Sequence, residues 1–410
     1  MTSDLTLGGG IYLDVSDTFN ASWPAMRMLA GQVRLERVDT IDLRSVEVIG
    51  GYFGLSIAGS ARSVNLDGLR AFDVDPAMGS GRYGGVFVLS PRLGALRLPS
   101  YNGSAMSRLY FDCQLAGGCE LEMGSVPSFV GHPNLDTTSD GGVYLDVSDG
   151  YVASLAGMVT VTGNVVVRRV QSFSAPDLKT AALIDVDSPG YVGVLELGGL
   201  VGAVGMSVNV RVGSGCTRVG LPALGQGGTL TSVATMEVTK TGSGPFEVDL
   251  GSVGGGPREV TKSLIVRCSG GCTIDQPIAG LGLLTNLSGG VGDVYEVSGL
   301  NVAGGGAFVQ ASVGSVSVRN GISVVFENNV GVTKFGAGVG SVVSAGGPLS
   351  VRNNSGLVTL CDVVGVNTRS SVVVANNGAL NGNCVTGPMS AVCGGACTGN
   401  GPPAGACTCP

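Results

Sequence analysis

Pairs of adjacent asparagines recur in the last quarter of this chain, each after a short stretch in which apolar and polar residues alternate. The stretches are VVFENNVGV, LSVRNNSGL and VVVANNGAL, and their pairs begin at Asn328, Asn353 and Asn376. A chain that returns to the same corner after a nearly constant interval is typical of a solenoid, in which each coil stacks on the one before. Asn suits such corners, because it tolerates a left-handed backbone and its amide can hydrogen-bond to an Asn in the next coil.

The composition agrees with a chain of many short strands. The 410 residues include 71 Gly, and only 13% are charged. Short β-branched stretches broken by Gly, Ser and Asn are typical of strands joined by tight turns. We therefore predict an all-β, parallel β-helix with coils of about 23–25 residues. The competing interpretation is a chance recurrence of Asn in a chain rich in Gly and Asn.

A longer repeat indicates related modules. The sequence GGIYLDVSD at 9–17 returns as GGVYLDVSD at 141–149. The repeated aspartates Asp14, Asp17, Asp146 and Asp149 invite a calcium-binding or acid–base interpretation, but we favour one in which Ser-Asp ends a strand and caps a turn. We predict three solenoid modules and a Cys-rich tail, with residues 200–290 following the pattern poorly: 1–135, 136–290, 291–386 and 387–410.

Eleven cysteines point to an oxidising compartment, because the His residues and CxxC spacings of a zinc site are missing. Cys361 and Cys384 lie one coil apart, so they could join adjacent coils. The odd count leaves at least one thiol free or paired with residues outside this sequence, and isolated Cys216 is the leading candidate for a free thiol. The disulfide candidates are Cys113, Cys119, Cys268, Cys272, Cys361, Cys384, Cys393, Cys397, Cys407 and Cys409.

Other features also favour an extracellular or cell-surface glycoprotein. Four N-x-S sequons are glycosylation candidates, at Asn20, Asn102, Asn286 and Asn353. Basic residues are scattered and the net charge is −7, which argues against a nucleic-acid partner. No apolar run reaches the roughly 18 residues of a membrane span. We expect the sequence to be part of a longer protein, which could be tethered to a membrane through residues outside this chain.

The stretch VEVIGGYFGLSIAGSARSVNLDGLRAF at 46–72 resembles the receptor L-domain family. These are ligand-binding, leucine-rich domains of insulin-type and epidermal-growth-factor-type receptors, with relatives in fungal cell-wall proteins. Residues 155–186 and the Asn-pair stretches carry the same resemblance, and Cys407-Thr408-Cys409 resembles a truncated growth-factor-like module. The resemblance implies a right-handed β-helix with disulfides and a ligand-binding role. The matching residues in 46–72 are Ile49, Gly51, Tyr52, Leu55, Ile57, Val64, Leu66 and Leu69.

We expect a non-catalytic recognition or adhesion ectodomain with a protein or glycan ligand, no cofactor and no metal. The alternative is a β-helix enzyme that cleaves polysaccharides with paired carboxylates. Asp73 with Asp75, and Asp185 with Asp187, each place two carboxylates on one face of a strand. The only His, His132, precedes a Pro in a predicted loop, so it offers little support for catalysis.

Overall fold

The computed structural model divides the chain into two compact units, Met1–Tyr191 and Val192–Pro410. The described residues form strands and turns and contain no helix. The module boundaries drawn from the sequence repeats stay a prediction. The structure describes residues 5–7, 10–50, 54–72, 84–102, 106, 108–115, 119–123, 128–129, 142–155, 157–202, 205–224, 232–249, 259–274, 286–287, 294–302, 323–330, 349–357 and 372–380.

The first unit contains nineteen strands among its described residues. They are β1 Leu5–Leu7, β2 Ile11–Leu13, β3 Asn20–Ser22, β4 Met26–Leu29, β5 Val33–Leu35, β6 Thr40–Asp42, β7 Val48–Ile49, β8 Leu55–Ala58, β9 Ser63–Asn65, β10 Ala71–Phe72, β11 Val86–Ser90, β12 Ala95–Leu98, β13 Leu109–Cys113, β14 Glu120–Met123, β15 Ser128–Phe129, β16 Val143–Ser154, β17 Thr160–Val161, β18 Asn164–Ser174 and β19 Leu183–Ser188.

Consecutive strands of this unit belong to different sheets, except that β18 and β19 pair with each other, and every pairing is parallel. The main sheet runs β2-β5-β8-β11-β13-β16-β18-β19. The second runs β3-β6-β9-β12-β14, and the third β1-β4-β7-β10. Strands β15 and β17 form a separate pair. From β2 to β10 each coil therefore contributes one strand to each of the three main faces. The stacked parallel strands confirm the predicted all-β solenoid.

The core lies between the sheets and is built from rows of inward side chains. Alternate residues of a strand point to opposite faces of the sheet, so the register of the main sheet places apolar residues of successive coils above one another. Two such rows are at most 2% exposed: Val33, Leu55, Val86, Leu109, Val143, Val165 and Ile184, and beside them Leu35, Ile57, Val88, Phe111, Leu145, Val167 and Val186.

The L-x-x-L phrase of the sequence is a tight turn between two faces of a coil. The Leu69 amide donates to the Leu66 carbonyl at 2.9 Å, and the Val46 amide donates to the Leu43 carbonyl at 2.9 Å. All four side chains are fully buried. Such an i to i+3 hydrogen bond defines a β-turn. Both ends of this turn thus point into the core, which explains why the apolar residues recur three positions apart.

The second unit is built in the same manner. Its main sheet runs β21-β23-β26-β28-β29-β30-β31, with β24 and β27 also paired to β26, and a smaller sheet runs β20-β22-β25. Its described strands are β20 Gly193–Glu196, β21 Ser207–Val212, β22 Cys216–Gly220, β23 Ser232–Thr241, β24 Gly244–Pro245, β25 Glu247–Asp249, β26 Glu259–Ile274, β27 Asn286–Leu287, β28 Val294–Val302, β29 Ser323–Glu327, β30 Leu349–Arg352 and β31 Val372–Ala375.

The asparagine pairs follow the last three strands directly. Asn328, Asn353 and Asn376 have φ values of 59°, 56° and 59°, in the left-handed region. Their exposed side chains form a ladder, in which the Asn353 amide donates to Asn328 Oδ1 at 3.0 Å and the Asn376 amide donates to Asn353 Oδ1 at 3.2 Å. These residues are the corners that the sequence indicates.

The second member of each pair forms another ladder inside the solenoid. Asn329, Asn354 and Asn377 are fully buried. The Asn354 side-chain amide donates to Asn377 Oδ1 at 3.0 Å and to the Phe326 carbonyl at 2.9 Å, while Asn354 Oδ1 accepts from the Asn329 side-chain amide at 2.9 Å. Asn354 and Asn377 also begin i to i+3 turns to Leu357 and Leu380. Asn here replaces the first Leu of the L-x-x-L turn.

Coil length varies more than the sequence indicates. The register partners Leu349 and Val372 enclose one coil of the predicted length. Leu109 and Val143, however, enclose a much longer coil, and the coil between Val165 and Ile184 is shorter than predicted. Coils of different lengths can stack in this way, because only the paired strands are bound by the register of the neighbouring coils.

The buried ladder generates a stability prediction. Asn354→Ala removes the buried hydrogen bonds that the Asn354 side chain makes to both neighbouring coils, so we expect a loss of about 3 kcal/mol in the free energy of unfolding. Urea denaturation of the whole chain, followed by circular dichroism, measures this loss. The matched control is Asn353→Gly, which breaks only the exposed ladder and suits the positive φ. Equal losses in the two variants would contradict the importance of the buried ladder.

Candidate functional site

The outward face of the main sheet of the first unit carries a continuous row of side chains, one from each coil. The residues share one register position, between the two buried rows of the core, and therefore point away from the core. We name this set the outer row: Tyr12, Arg34, Ser56, Phe87, Tyr110, Tyr144, Val166 and Asp185.

Three aromatic rings stack in the middle of the outer row. The ring centroids of Phe87 and Tyr110 lie 4.8 Å apart with planes at 15°, and those of Tyr110 and Tyr144 lie 4.5 Å apart with planes at 9°. The stack follows the spacing of the strands, so each interior ring face is covered by its neighbour. What remains available to a ligand is the rim of the stack and the two outer faces at its ends.

A cavity of about 250 Å³ lies at one end of this stack, where the bulky Tyr144 is followed by the smaller Val166. We name it the Val166 notch. The phenolic ring of Tyr144 lies on one side, and an ion pair lies on the other, in which Arg168 Nη2 contacts Asp185 Oδ2 at 2.6 Å. The side chains that line this notch include Tyr110, Tyr144, Asn164, Val166, Arg168 and Asp185.

A second cavity, of about 320 Å³, lies at the other end of the stack, where Phe87 is followed by Ser56. We name it the Ser56 notch. The guanidinium of Arg108 lies 5.6 Å from the Phe87 ring centroid, and that of Arg34 lies 5.6 Å from the Tyr12 ring centroid. Both distances fit a cation–π contact. The lining is Gln32, Arg34, Ser56, Ala58, Phe87 and Arg108.

Beside the outer row runs a second outward row with carboxylates in it. Asp112 and Asp146 are register partners on neighbouring strands, and Arg168 and Asp187 continue the row. Burial, and then the charge of Asp146, raise the pKa of Asp112, while Arg169 offsets part of this shift. Desolvation and the same carboxylates raise the pKa of Tyr110 and Tyr144.

Arg169 compensates the paired carboxylates. Its Nε donates to Asp146 Oδ1, and its Nη2 donates to the Cys113 carbonyl. Its φ of 29° lies in the left-handed region, which a non-glycine residue adopts only at a cost. The side chain thus ties the carboxylate pair to the strand that carries Asp112.

The aspartates of the first copy of the LDVSD phrase have ordinary partners. Asp14 pairs with Arg37, and Asp17 accepts from the Ser60 hydroxyl at 2.5 Å. The prediction that Ser-Asp ends a strand is correct for the first copy, which follows β2 at Leu13. It is wrong for the second copy, because β16 continues through Asp149 to Ser154. Longer pairing with β18 keeps this copy in the sheet.

Cysteine pairing is resolved at several candidate positions, and one further cysteine is free. Cys113 and Cys119 form a disulfide, and Cys268 is also disulfide-bonded. Cys216 is a free, buried thiol, and burial raises its pKa. The side chain of Cys272 lies outside the described residues. So do Cys361, Cys384, Cys393, Cys397, Cys407, Cys409 and the predicted tail.

Three sequon asparagines are exposed among the described side chains: Asn20, Asn102 and Asn353. Asn353 takes part in the corner ladder, and Asn20 Oδ1 accepts from the Thr40 hydroxyl. The side chain of Asn286 lies outside the described residues. Asp73, Asp75 and His132 also lie outside the described residues. Asp185 and Asp187 do point outward from one strand, as expected, and Asp185 contacts Arg168.

Metal-binding clusters of three or more His, Cys, Asp or Glu side chains are absent from the described part of the chain. Within the same residues no helix is long and apolar enough to cross a membrane. Comparison with known proteins yields no relative: no family model, no curated protein and no solved structure matches this chain.

Sequence reasoning missed the outer row, although a signal for it exists. Strands β11, β13 and β16 each begin with a triplet in which an aromatic residue lies between two apolar residues. The triplets are Val-Phe-Val, Leu-Tyr-Phe and Val-Tyr-Leu. In a strand with one buried face, the middle residue of such a triplet points outward. Three outward aromatic residues at equivalent strand positions therefore predict a stacked ladder once the coils are aligned.

The carboxylate pair generates a pH prediction. Because the pKa of Asp112 is raised in the folded protein, the stabilisation linked to its proton is present below the ordinary value of 3.8 and is lost as pH rises through the folded pKa. We expect Asp112→Asn to raise the unfolding midpoint temperature at pH 7 and to leave it unchanged near pH 3. Differential scanning calorimetry across this range measures the effect. Asp67→Asn, on an exposed turn, is the control, and a pH-independent gain in Asp112→Asn would contradict the assignment.

Proposed function

We propose that this chain is a non-catalytic recognition module of an extracellular or cell-surface protein, and that the outer row of its first unit binds a glycan. The observation that carries the proposal is the Val166 notch, where an aromatic ring and an ion pair converge on one cavity. Cavities that combine an apolar wall with a few placed polar groups are the usual form of a binding site.

The chemistry of the notch suits a sugar ring. One face of a pyranose carries C–H groups, which pack on an aromatic face such as that of Tyr144. Its hydroxyls both donate and accept hydrogen bonds. The Asp185 carboxylate accepts from hydroxyls and the Arg168 guanidinium donates to them, and bonds to charged partners are the stronger ones. The mutual ion pair holds both groups in position before a ligand arrives.

The solenoid makes this surface rigid. Tyr144 and Val166 lie on adjacent strands whose register is fixed by the main sheet, and the side chains beneath them are fully buried. A pre-formed surface loses little conformational entropy on binding, so a small cavity is sufficient for a useful affinity. A role in recognition or adhesion requires no more than such a surface.

Two further features support an extracellular location. The Cys113–Cys119 disulfide directly follows the strand that carries Tyr110, and disulfides persist in oxidising compartments. The resemblance to receptor L domains favours the same location and a ligand-binding role. On this proposal the chain is a ligand-binding part of a surface glycoprotein.

The test is an array of immobilised neutral and anionic oligosaccharides, followed by titration calorimetry of the glycans that bind. We expect Tyr144→Ala to weaken binding roughly fivefold or more, because an aromatic contact contributes about 1 kcal/mol beyond its buried area. Phe19→Ala, an exposed aromatic residue outside the outer row, is the control and should bind as wild type does. Equal affinities of the two variants, or no glycan bound on the array, would contradict the proposal.

The alternative function is a polysaccharide hydrolase, and one observation favours it. Asp112 and Asp146 are adjacent outward carboxylates beside the aromatic stack, and the pKa of Asp112 is raised, as in a general acid. Incubation of the protein with glycans from the array, followed by a reducing-end assay, decides between the functions. Recognition predicts no release of reducing ends. Release that Asp112→Asn abolishes while binding persists would establish the hydrolase.

A further inference from the structure

We infer that the Ser56 notch binds an anionic sugar unit, so that the glycan is a linear oligosaccharide lying along the outer row with its acidic end at Ser56 and a neutral unit at Val166. This inference rests on the proposed function and names its ligand class. The shared chemistry is a sugar ring that carries a carboxylate or a sulfate.

The charge of the Ser56 notch carries the inference. Arg34 and Arg108 both line it, and its described lining includes no carboxylate. Arg34 is held from one side by Glu36, which accepts from its Nε at 2.9 Å and from its Nη2 at 2.6 Å. This contact holds the guanidinium in place, and the Glu36 carboxylate balances part of its charge. An anionic group placed between two guanidiniums receives charge-assisted hydrogen bonds.

The aromatic wall gives the notch its second element. Phe87 lines the same cavity as the two arginines, and it ends the aromatic stack on this side. Ser56 also lines the cavity, and a serine hydroxyl can donate to or accept from a ligand. A sugar ring against the rim of Phe87, with an acidic substituent directed at the guanidiniums, uses all three kinds of group.

The second outward row determines which end of the ligand carries the acidic unit. Beside Ser56 and Phe87 it holds the uncharged Ala58 and Leu89. Beside the other end of the stack it holds the carboxylates of Asp112 and Asp146. An anionic unit is therefore favoured at the Ser56 end and repelled farther along, since like charges in a half-buried site destabilise each other. The same carboxylates disfavour a densely charged polyanion such as a nucleic acid.

The spacing of the two notches sets the length of the ligand. Ser56 and Val166 are separated by four strand steps, which corresponds to about 19 Å at the usual spacing of neighbouring strands. An extended sugar unit is of similar length to one strand step, so about five units reach from one notch to the other. The rims of the three stacked rings lie beneath the middle of such a chain.

The experiment compares three pentasaccharides by titration calorimetry at low salt: a neutral one that binds on the array, the same chain with one terminal uronate, and the same chain with one terminal sulfate. Wild type should bind at least one of the anionic chains about tenfold more tightly than the neutral chain. The carboxylate and sulfate arms identify the acidic group. A disaccharide with the same acidic unit should bind more weakly, because it reaches only one notch.

Two charge-removing variants test the assignment. Arg34→Gln and Arg108→Gln should each bring the ratio of the anionic-chain affinity to the neutral-chain affinity close to one. Arg97→Gln, which removes an exposed arginine of the second sheet, is the matched control. If one of the two variants misfolds, the other still tests the assignment.

Each outcome separates the inference from the proposed function. No preference in wild type, or a preference that survives both substitutions, overturns the inference, while neutral binding that depends on Tyr144 leaves the proposed function standing. Failure of every oligosaccharide to bind overturns both. Tighter binding of a single-stranded oligodeoxynucleotide than of the anionic pentasaccharides also overturns the inference.

Discussion

Hydrogen bonding between the backbones of successive coils sets the positions of the side chains in the described strands. In a parallel sheet each residue of a strand lies beside its register partner in the next coil. One choice of register therefore creates the apolar rows inside, the aromatic stack outside and the two asparagine ladders at the corners. A slip by one residue would turn every inward side chain outward, and the buried rows make such a slip very unfavourable.

The fold could be predicted because its signals are local. A positive φ at Asn353 and a tight turn from Leu66 to Leu69 both depend on residues within a few positions. The outer row could not be aligned from the sequence, because the interval from Tyr110 to Tyr144 is much longer than the interval from Phe87 to Tyr110. Segments of different lengths separate the strands, and the strands alone carry the register. The site therefore depends on distances along the chain that no single period describes.

The carboxylates beside the aromatic stack show what the fold tolerates at its surface. Asp112 and Asp146 are placed side by side by the register and not by any attraction between them. Arg169 reaches this pair from a strained backbone conformation and also contacts the Cys113 carbonyl. Strain and like-charge proximity are typical of functional surfaces, where the surrounding structure over-determines an unfavourable arrangement. The rigid core beneath supplies the stability that offsets this cost.

The two notches arise from single steps in side-chain size along one row: Phe87 beside Ser56, and Tyr144 beside Val166. The buried rows on either side of the outer row stay apolar throughout, so the notches require no change in the core. One point mutation on the outward face can therefore open, close or shift a cavity by a whole strand spacing while folding proceeds as before. Such a scaffold can acquire new ligands by gradual substitution, because evolution of its specificity is uncoupled from evolution of its stability.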